Sequence, residues 1–371
     1  MSQNKNSSTA TRRKFLTSAA VAGAAVAAPN VVSAQGPIAM RFQSTWPSKD
    51  IFHEYATDFG KRVNDMTGGD LKIEVLPAGA VVPAFGLLDA VSKGVLDGGH
   101  GVLVYHYGKN TALALWGSGP GYGMDANMLL AWHKYGGGKA LLEKIYTTIG
   151  ADVVSFPYAP LYSQPLGWFK KPMQNVDDFK GLKYRTVGIS IDLFTAMGAA
   201  VNALPGGEIV AAMDRGLLDA AALNNPSSDL QLGLPEVAKV YMMGSHHRVA
   251  GAFEIVFNKG KHDALPVEIK SILRHAALAA STTQLGVAYA RYPKDLDEIR
   301  KRGVVVTRTG EALLRAQLAA WDKVIADYSK ERFFAKVIAS QKAWVRRMQP
   351  YLAANNLGSG ELAAAYQHFL G

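Results

Sequence analysis

The sequence predicts an α/β protein of two similar, doubly wound lobes followed by long C-terminal helices, and three observations carry that prediction. Strand-like alternation is interleaved with helical spacing, the pattern of a parallel sheet covered by helices. The same order occurs twice along the chain, with residue-level echoes. Beyond about residue 266 the pattern changes to long helical stripes.

Residues Met40 to Trp46 alternate like a strand, and Ile51 to Met66 place Tyr55, Phe59 and Val63 at helical spacing until Gly68-Gly69 stops the helix. Leu71 to Val75 reads as the next strand and Phe85 to Lys93 as the next helix, closed by Gly94. The order returns as strand Leu182 to Thr186, helix Ser190 to Met197, strand Ala200 to Leu204 and helix Glu208 to Asp214. "EVLPAG" (Glu74 to Gly79) echoes "NALPGG" (Asn202 to Gly207), and "SKGVLDGG" (Ser92 to Gly99) echoes "DRGLLDAA" (Asp214 to Ala221). From Pro266 to about Arg291 an apolar stripe marks a long helix. A short strand at Val304 to Val306 and helices Glu311 to Tyr328 and Arg332 to about Tyr351 follow. These elements divide the chain into a leader at 1–34, lobe one at 35–160, lobe two at 161–250, and 251–371 returning to lobe one with the long helices. Those helices either brace lobe one or form a subunit interface.

The chain has 371 residues, 49% hydrophobic and 19% charged, the composition of an ordinary globular protein. Its formal charge is +10; Lys5, Arg12, Arg13 and Lys14 lie in the leader, and removing those four leaves +6. No Lys/Arg stripe is interleaved with aromatics, which argues against a nucleic-acid partner, while a modest positive field suits small anions. The leader "TRRKFLTSAAVAGAAVAAPNVVSAQG" has a basic pair, an apolar run too short to span a bilayer and a Val32-Ser33-Ala34 cleavage site. Arg12-Arg13 followed by Phe15-Leu16 resembles a twin-arginine export signal, so the mature chain is expected in the periplasm, cut after Ala34. There is no cysteine, which excludes disulfides and thiolate chemistry.

Catalytic patterns fail on inspection. "GSGPGYG" (Gly117 to Gly123) misses the dinucleotide fingerprint in either register, and "GGGKA" (Gly136 to Ala140) has Ala140 where a P-loop needs Ser or Thr. His53-Glu54 lacks the second histidine of a zincin, Thr57 standing there, and no G-x-S-x-G elbow exists. His246 and His247 would point to opposite faces of an extended segment, so they read as solvated or hinge histidines. A binding protein is expected, not an enzyme. Its candidate anchor is Arg185, at the carboxyl end of a lobe-two strand, where ligands of open α/β sheets sit. The nearby Asp192 is expected to face solvent in a first helical turn. Arginine's planar fork receives a carboxylate through two parallel bonds, the alternative being a salt bridge to a distant Asp or Glu.

"MTGGDLKIEVLPAGAVVPAFGLLDAVSKGVLDGGHG", "VDDFKGLKYRTVG", "GGEIVAAMDRGLLDA" and "FNKGKHDALP" resemble the periplasmic solute-binding subunit of tripartite ATP-independent periplasmic (TRAP) transporters, the DctP family, over nearly the whole mature chain. "WHKYGGGKALLEKIY" and "NNPSSD" are similar to its alpha-keto acid and lactate binders. The resemblance implies a bilobed periplasmic binding protein that passes a small organic acid to TRAP membrane subunits. It makes Arg185 the carboxylate receptor and Gln164, 21 residues earlier, a contact to ligand and cation. Tyr105, Asn224 and Asn225 join the expected ligand contacts, with Gln164 and Asn224 as candidate ligands of a bridging Na+ or Ca2+. Ala222 and Leu223 stand where such relatives carry a glutamate and an aromatic, which puts the cation in doubt; "NNPSSD" also reads as a capped helix start. The branch further implies a homodimer through the C-terminal helices. A dicarboxylate or sugar acid on the same scaffold, and a periplasmic enzyme, are the alternative readings. A second cleft arginine would favour the dicarboxylate, and the sequence does not place one.

Overall fold

A computed structural model of the chain describes residues 36–356, 358, 364–365 and 367–369. The expected leader at 1–34, with its twin arginines and cleavage site, lies outside the described residues. The architecture is that of the compact unit that begins at Ala39.

Strand β1 (Ile38–Ser44) leads to helix α1 (Ile51–Met66), then β2 (Leu71–Leu76), α2 (Leu87–Ser92) and β3 (Gly98–Val102). Local chemistry sets these limits. Asp50 caps α1 by accepting from the Phe52 N–H, the apolar stripe through Tyr55, Phe59 and Val63 is buried, and Gly68 follows with φ +61°, a left-handed conformation that suits glycine. Helices α3 (Ala126–Tyr135) and α4 (Gly138–Thr148) precede β4 (Val153–Leu161), which leads toward β5 (Gly167–Phe169). The echoed unit then comes as β6 (Lys183–Arg185), α5 (Ser190–Ala196), β7 (Ala200–Asn202), α6 (Ile209–Asp214) and β8 (Ala220–Ala221). Next are α7 (Pro226–Leu232), α8 (Leu234–Val237), β9 (Val240–Met243), β10 (Gly251–Asn258), α9 (Lys259–Asp263), α10 (Val267–Lys301), β11 (Val305–Arg308), α11 (Glu311–Tyr328) and α12 (Arg332–Asn355).

Two sheets result, in the orders β2-β1-β3-β10-β4 and β7-β6-β8-β5-β9-β11. The echo in sequence is therefore an echo in space: β1 lies between β2 and β3 as β6 lies between β7 and β8. Each sheet also takes one antiparallel strand out of local order. β10 runs against β3 and β4, and β5 runs against β8 and β9. The chain crosses between the sheets at 162–166, at 244–250 and again along α10, and the first two crossings border the functional site. One strand departs from the expected return of 251–371 to lobe one: β11 pairs in parallel with β9 in the second sheet.

The long stripe is also longer than expected. α10 runs 35 residues and passes through Pro293, because Leu296 and the fully buried Ile299 beyond it pack on the core of the second sheet. That burial offsets the hydrogen bond the proline removes. α10 packs on β4, α1 and α7 and so spans both lobes. Trp321, Phe334, Val337 and Ile338 of α11 and α12 join the main core with Trp116, Trp132 and Phe194.

Candidate functional site

Residues at the carboxyl ends of the strands face one another where the two sheets meet. Arg185 is the last residue of β6 and is only 2% exposed. Its Nε and Nη2 donate to the carbonyl of Leu204 at 2.8 and 2.6 Å, and its Nη1 to the carbonyl of Ala222 at 2.8 Å. Leu204 follows β7 and Ala222 follows β8, so two loops of the echoed unit hold the guanidinium in one orientation. A guanidinium has five N–H donors, and these three bonds leave one on each terminal nitrogen, the pair a carboxylate accepts side by side. Among the described residues no Asp or Glu forms a salt bridge with it, so the alternative of an internal ion pair falls away. Burial lowers its pKa from the usual value, with the neighbouring Tyr105 acting the other way, and an arginine so placed stays charged.

Gln164, also buried, stands in the first crossing. Its backbone N–H donates to the Arg248 carbonyl at 3.0 Å, and its Oε1 accepts from His247 Nε2 at 3.0 Å. His247 Nδ1 in turn meets the Ser245 hydroxyl at 2.6 Å. His247 is neither solvated nor a bare hinge: it is fully buried, and burial brings its pKa down to about 3, with Arg248 and Arg185 adding to the effect, so the ring is neutral. With Oε1 turned to His247, the other end of the Gln164 amide is its NH2, a donor. Tyr105, just after β3, stands beside both arginines; burial raises its pKa and keeps the phenol protonated. It packs on Trp46 and Phe85. Sequence reasoning missed Arg248 and His247 as members of this group. Arg248 is 4% exposed, and it supplies the second arginine that the sequence did not place.

The asparagines open a helix. Asn225 caps α7, accepting from the Ser228 N–H at 3.0 Å, and Asn224 donates through Nδ2 to the Ser228 hydroxyl at 3.0 Å. Both line a cavity of about 360 Å³ walled by Tyr162, Met243, Tyr289 and Tyr292, which Arg185, Gln164 and Tyr105 do not border. The physical reason is Asp229. Its carboxylate accepts the backbone N–H groups of Asn224 and Asn225 at 3.0 and 3.2 Å and the Trp168 indole at 2.7 Å, folding "NNPSSD" into a helix start. Ser228 also donates to Asp50 of lobe one at 3.0 Å. Burial pushes Asp50 and Asp229 each up to about 7.

Asp192 is not solvated as expected. It accepts from Tyr107 of lobe one at 2.6 Å and from Tyr328 of α11 at 3.1 Å, because the lobes meet over the start of α5. Ser118 and Ser190 bond across the same junction at 2.8 Å. The lobes are closed on one another.

Residues 42–334 match the family described as bacterial extracellular solute-binding protein, family 7, DctP. A monocarboxylate 2-oxoacid-binding periplasmic protein of a Nostoc species is 33% identical over 96% of this chain and 100% of its own length. A TRAP transporter solute-binding protein from Bordetella bronchiseptica, a mixed-occupancy dimer with copurified calcium and picolinate in one site, superposes with a TM-score of 0.83 at 25% identity, covering 90% of this chain and 98% of its own. A TRAP periplasmic solute-binding protein from Pseudoalteromonas atlantica with bound sodium and pyruvate superposes with a TM-score of 0.79 at 26% identity, covering 91% and 100%.

Proposed function

The chain belongs to the DctP family of bacterial extracellular solute-binding proteins, and from that membership we propose that it captures a small 2-oxo or 2-hydroxy monocarboxylate in the periplasm and delivers it to TRAP membrane subunits. Its relatives are transport receptors and not enzymes, and structural neighbours hold calcium or sodium together with the acid. One observation carries the reading: a buried guanidinium, oriented by two backbone carbonyls, with two donors left and, among the described residues, no carboxylate paired to it.

Arg185 takes the carboxylate through its two terminal nitrogens, and the Gln164 NH2 reads the oxygen on the adjacent carbon. Micromolar affinity needs about 8 kcal/mol, within reach of one charge-assisted pair, several hydrogen bonds and the exclusion of water by the closed lobes. The reading extends to twin-arginine export and to a homodimer through the C-terminal helices. The dimer is supported by the dimeric Bordetella neighbour and by the exposed Leu278 and Tyr289 on α10. No described helix is long and apolar enough to cross a membrane. A dicarboxylate is the second reading, favoured by Arg248. Calorimetry of unfolded, ligand-stripped and refolded protein against pyruvate, lactate, longer 2-oxo acids, succinate and a sugar acid separates them. The expected result is tightest binding of a 2-oxo or 2-hydroxy monocarboxylate; preference for succinate or the sugar acid rejects it.

A further inference from the structure

Arg248 lies in the second crossing between the sheets, where the Gln164 N–H holds its carbonyl. Its guanidinium is buried, and Nε and Nη2 have no partner among the described residues. Unmet buried donors on a charged group are costly, and among the described residues no carboxylate pairs with this one. The groups around it are those of the ligand site: Tyr105, Arg185 and His247. Burial brings it down only to about 10, so the charge persists at neutral pH.

The same surroundings do not fit Na+ or Ca2+. The Ala222 carbonyl already accepts from Arg185, Gln164 Oε1 accepts from His247, and Ala222 and Leu223 offer hydrocarbon. Both oxygens of Asp50 are engaged by Phe52 N–H and Ser228, and those of Asp229 by Asn224, Asn225 and Trp168. A hard cation seeks several free oxygens, and one placed beside two unpaired guanidiniums would be repelled.

We infer that Arg248 is a built-in replacement for the metal: its free Nε and Nη2 donors take the ligand oxygens that calcium or sodium holds in the structural neighbours, and this receptor binds its acid without a cation. The inference rests on Arg185 as carboxylate receptor. A fixed guanidinium supplies directional donors at the same positive charge as sodium, and it cannot be chelated or diluted away.

The test is calorimetry with pyruvate on the refolded full-length protein, in sodium-free buffer with chelator and again with added calcium, for wild type, Arg248→Met, Arg248→Lys and Arg185→Met. Wild-type affinity should be the same in both buffers, and Arg248→Met should lose roughly a hundredfold, with no rescue by calcium. A wild-type loss of roughly tenfold or more on withdrawing both cations overturns the inference, as does Arg248→Met binding like wild type. So does a preference for succinate that Arg248→Met abolishes, since Arg248 would then read a second carboxylate. Should Arg248→Met fail to fold, the wild-type buffer comparison and Arg248→Lys, which keeps charge but loses the fork, still decide. Loss in Arg248→Met with none in Arg185→Met would instead sink the parent reading.

Discussion

Arg185 concentrates the argument at the scale of one residue. Its three bonds to Leu204 and Ala222 carbonyls satisfy the lobe's own loops, and two N–H donors remain beside Tyr105. Replacing it with Met should therefore lower affinity by roughly a hundredfold or more, measured by calorimetry against the preferred acid, while the fold survives on its apolar core. Arg185→Lys should lose nearly as much, because a point charge cannot hold both carbonyls and both carboxylate oxygens at once. Arg185 was legible in the sequence because strand register puts it at a carboxyl end and no local acid competes for it. Arg248 was not: it sits in an irregular crossing, "SHHRVAG", where no periodicity says which way a side chain points. Its burial follows from β9 and β10 belonging to different sheets, a fact of tertiary pairing. His247 was misread for the same reason.

At the scale of elements, the echoed β-α-β-α units were readable because period, glycine stops and caps are local signals, and α1 begins and ends where they put it. The insertion of β5 and β10 out of order, and the pairing of β11 with β9, depend on contacts between distant segments that composition does not encode. "NNPSSD" carried two local meanings, cap and ligand contact; the cap is formed around the Asp229 carboxylate, while Asn225 Nδ2 has no partner among the described residues. Capping carries its own pH dependence. Asp50 caps α1 and meets Ser228 of α7, and burial raises its pKa from 3.8 to about 7. A carboxyl raised on folding binds more protons folded than unfolded, so its stabilising effect is full below 3.8 and is lost as pH rises through 7. The buried histidines act oppositely. His100, His133 and His247 are depressed to about 3, 4 and 3, and they lose stability as pH falls below the ordinary 6.5. A difference measurement cancels them. The stability of wild type minus that of Asp50→Asn should be about 1 kcal/mol larger at pH near 6 than at pH near 8, by urea unfolding at both. An equal difference at the two pH values would mean that Asp50 does not titrate in this window.

Closure is the property of the whole molecule that turns these residues into a receptor. Arg185 and Arg248 are enclosed together with Tyr105 where the lobes meet, so the closed arrangement without an anion carries like charges out of water. An acid offsets that repulsion only when the lobes are shut around it, which makes closing and binding one coupled equilibrium. The lobes touch through Ser118 with Ser190, Asp50 with Ser228, and Tyr107 with Asp192. Gly207, after β7, is a further close approach: an added Cβ would stand 2.8 Å from Pro47 Cγ of lobe one, a rigid ring that cannot swing aside. Its φ is not in the left-handed region, so a side chain there strains neither lobe by itself. Gly207→Val should leave the thermal stability of ligand-free protein nearly unchanged and weaken binding by roughly ten- to a hundredfold, since a ligand shifts the equilibrium only by its preference for the closed state. Small-angle scattering reads the cause directly: wild type should contract on adding acid, and Gly207→Val should keep its ligand-free radius at the same acid concentration. Contraction of Gly207→Val to the wild-type radius with full affinity would show that the site is complete in one lobe and that closure adds nothing to capture.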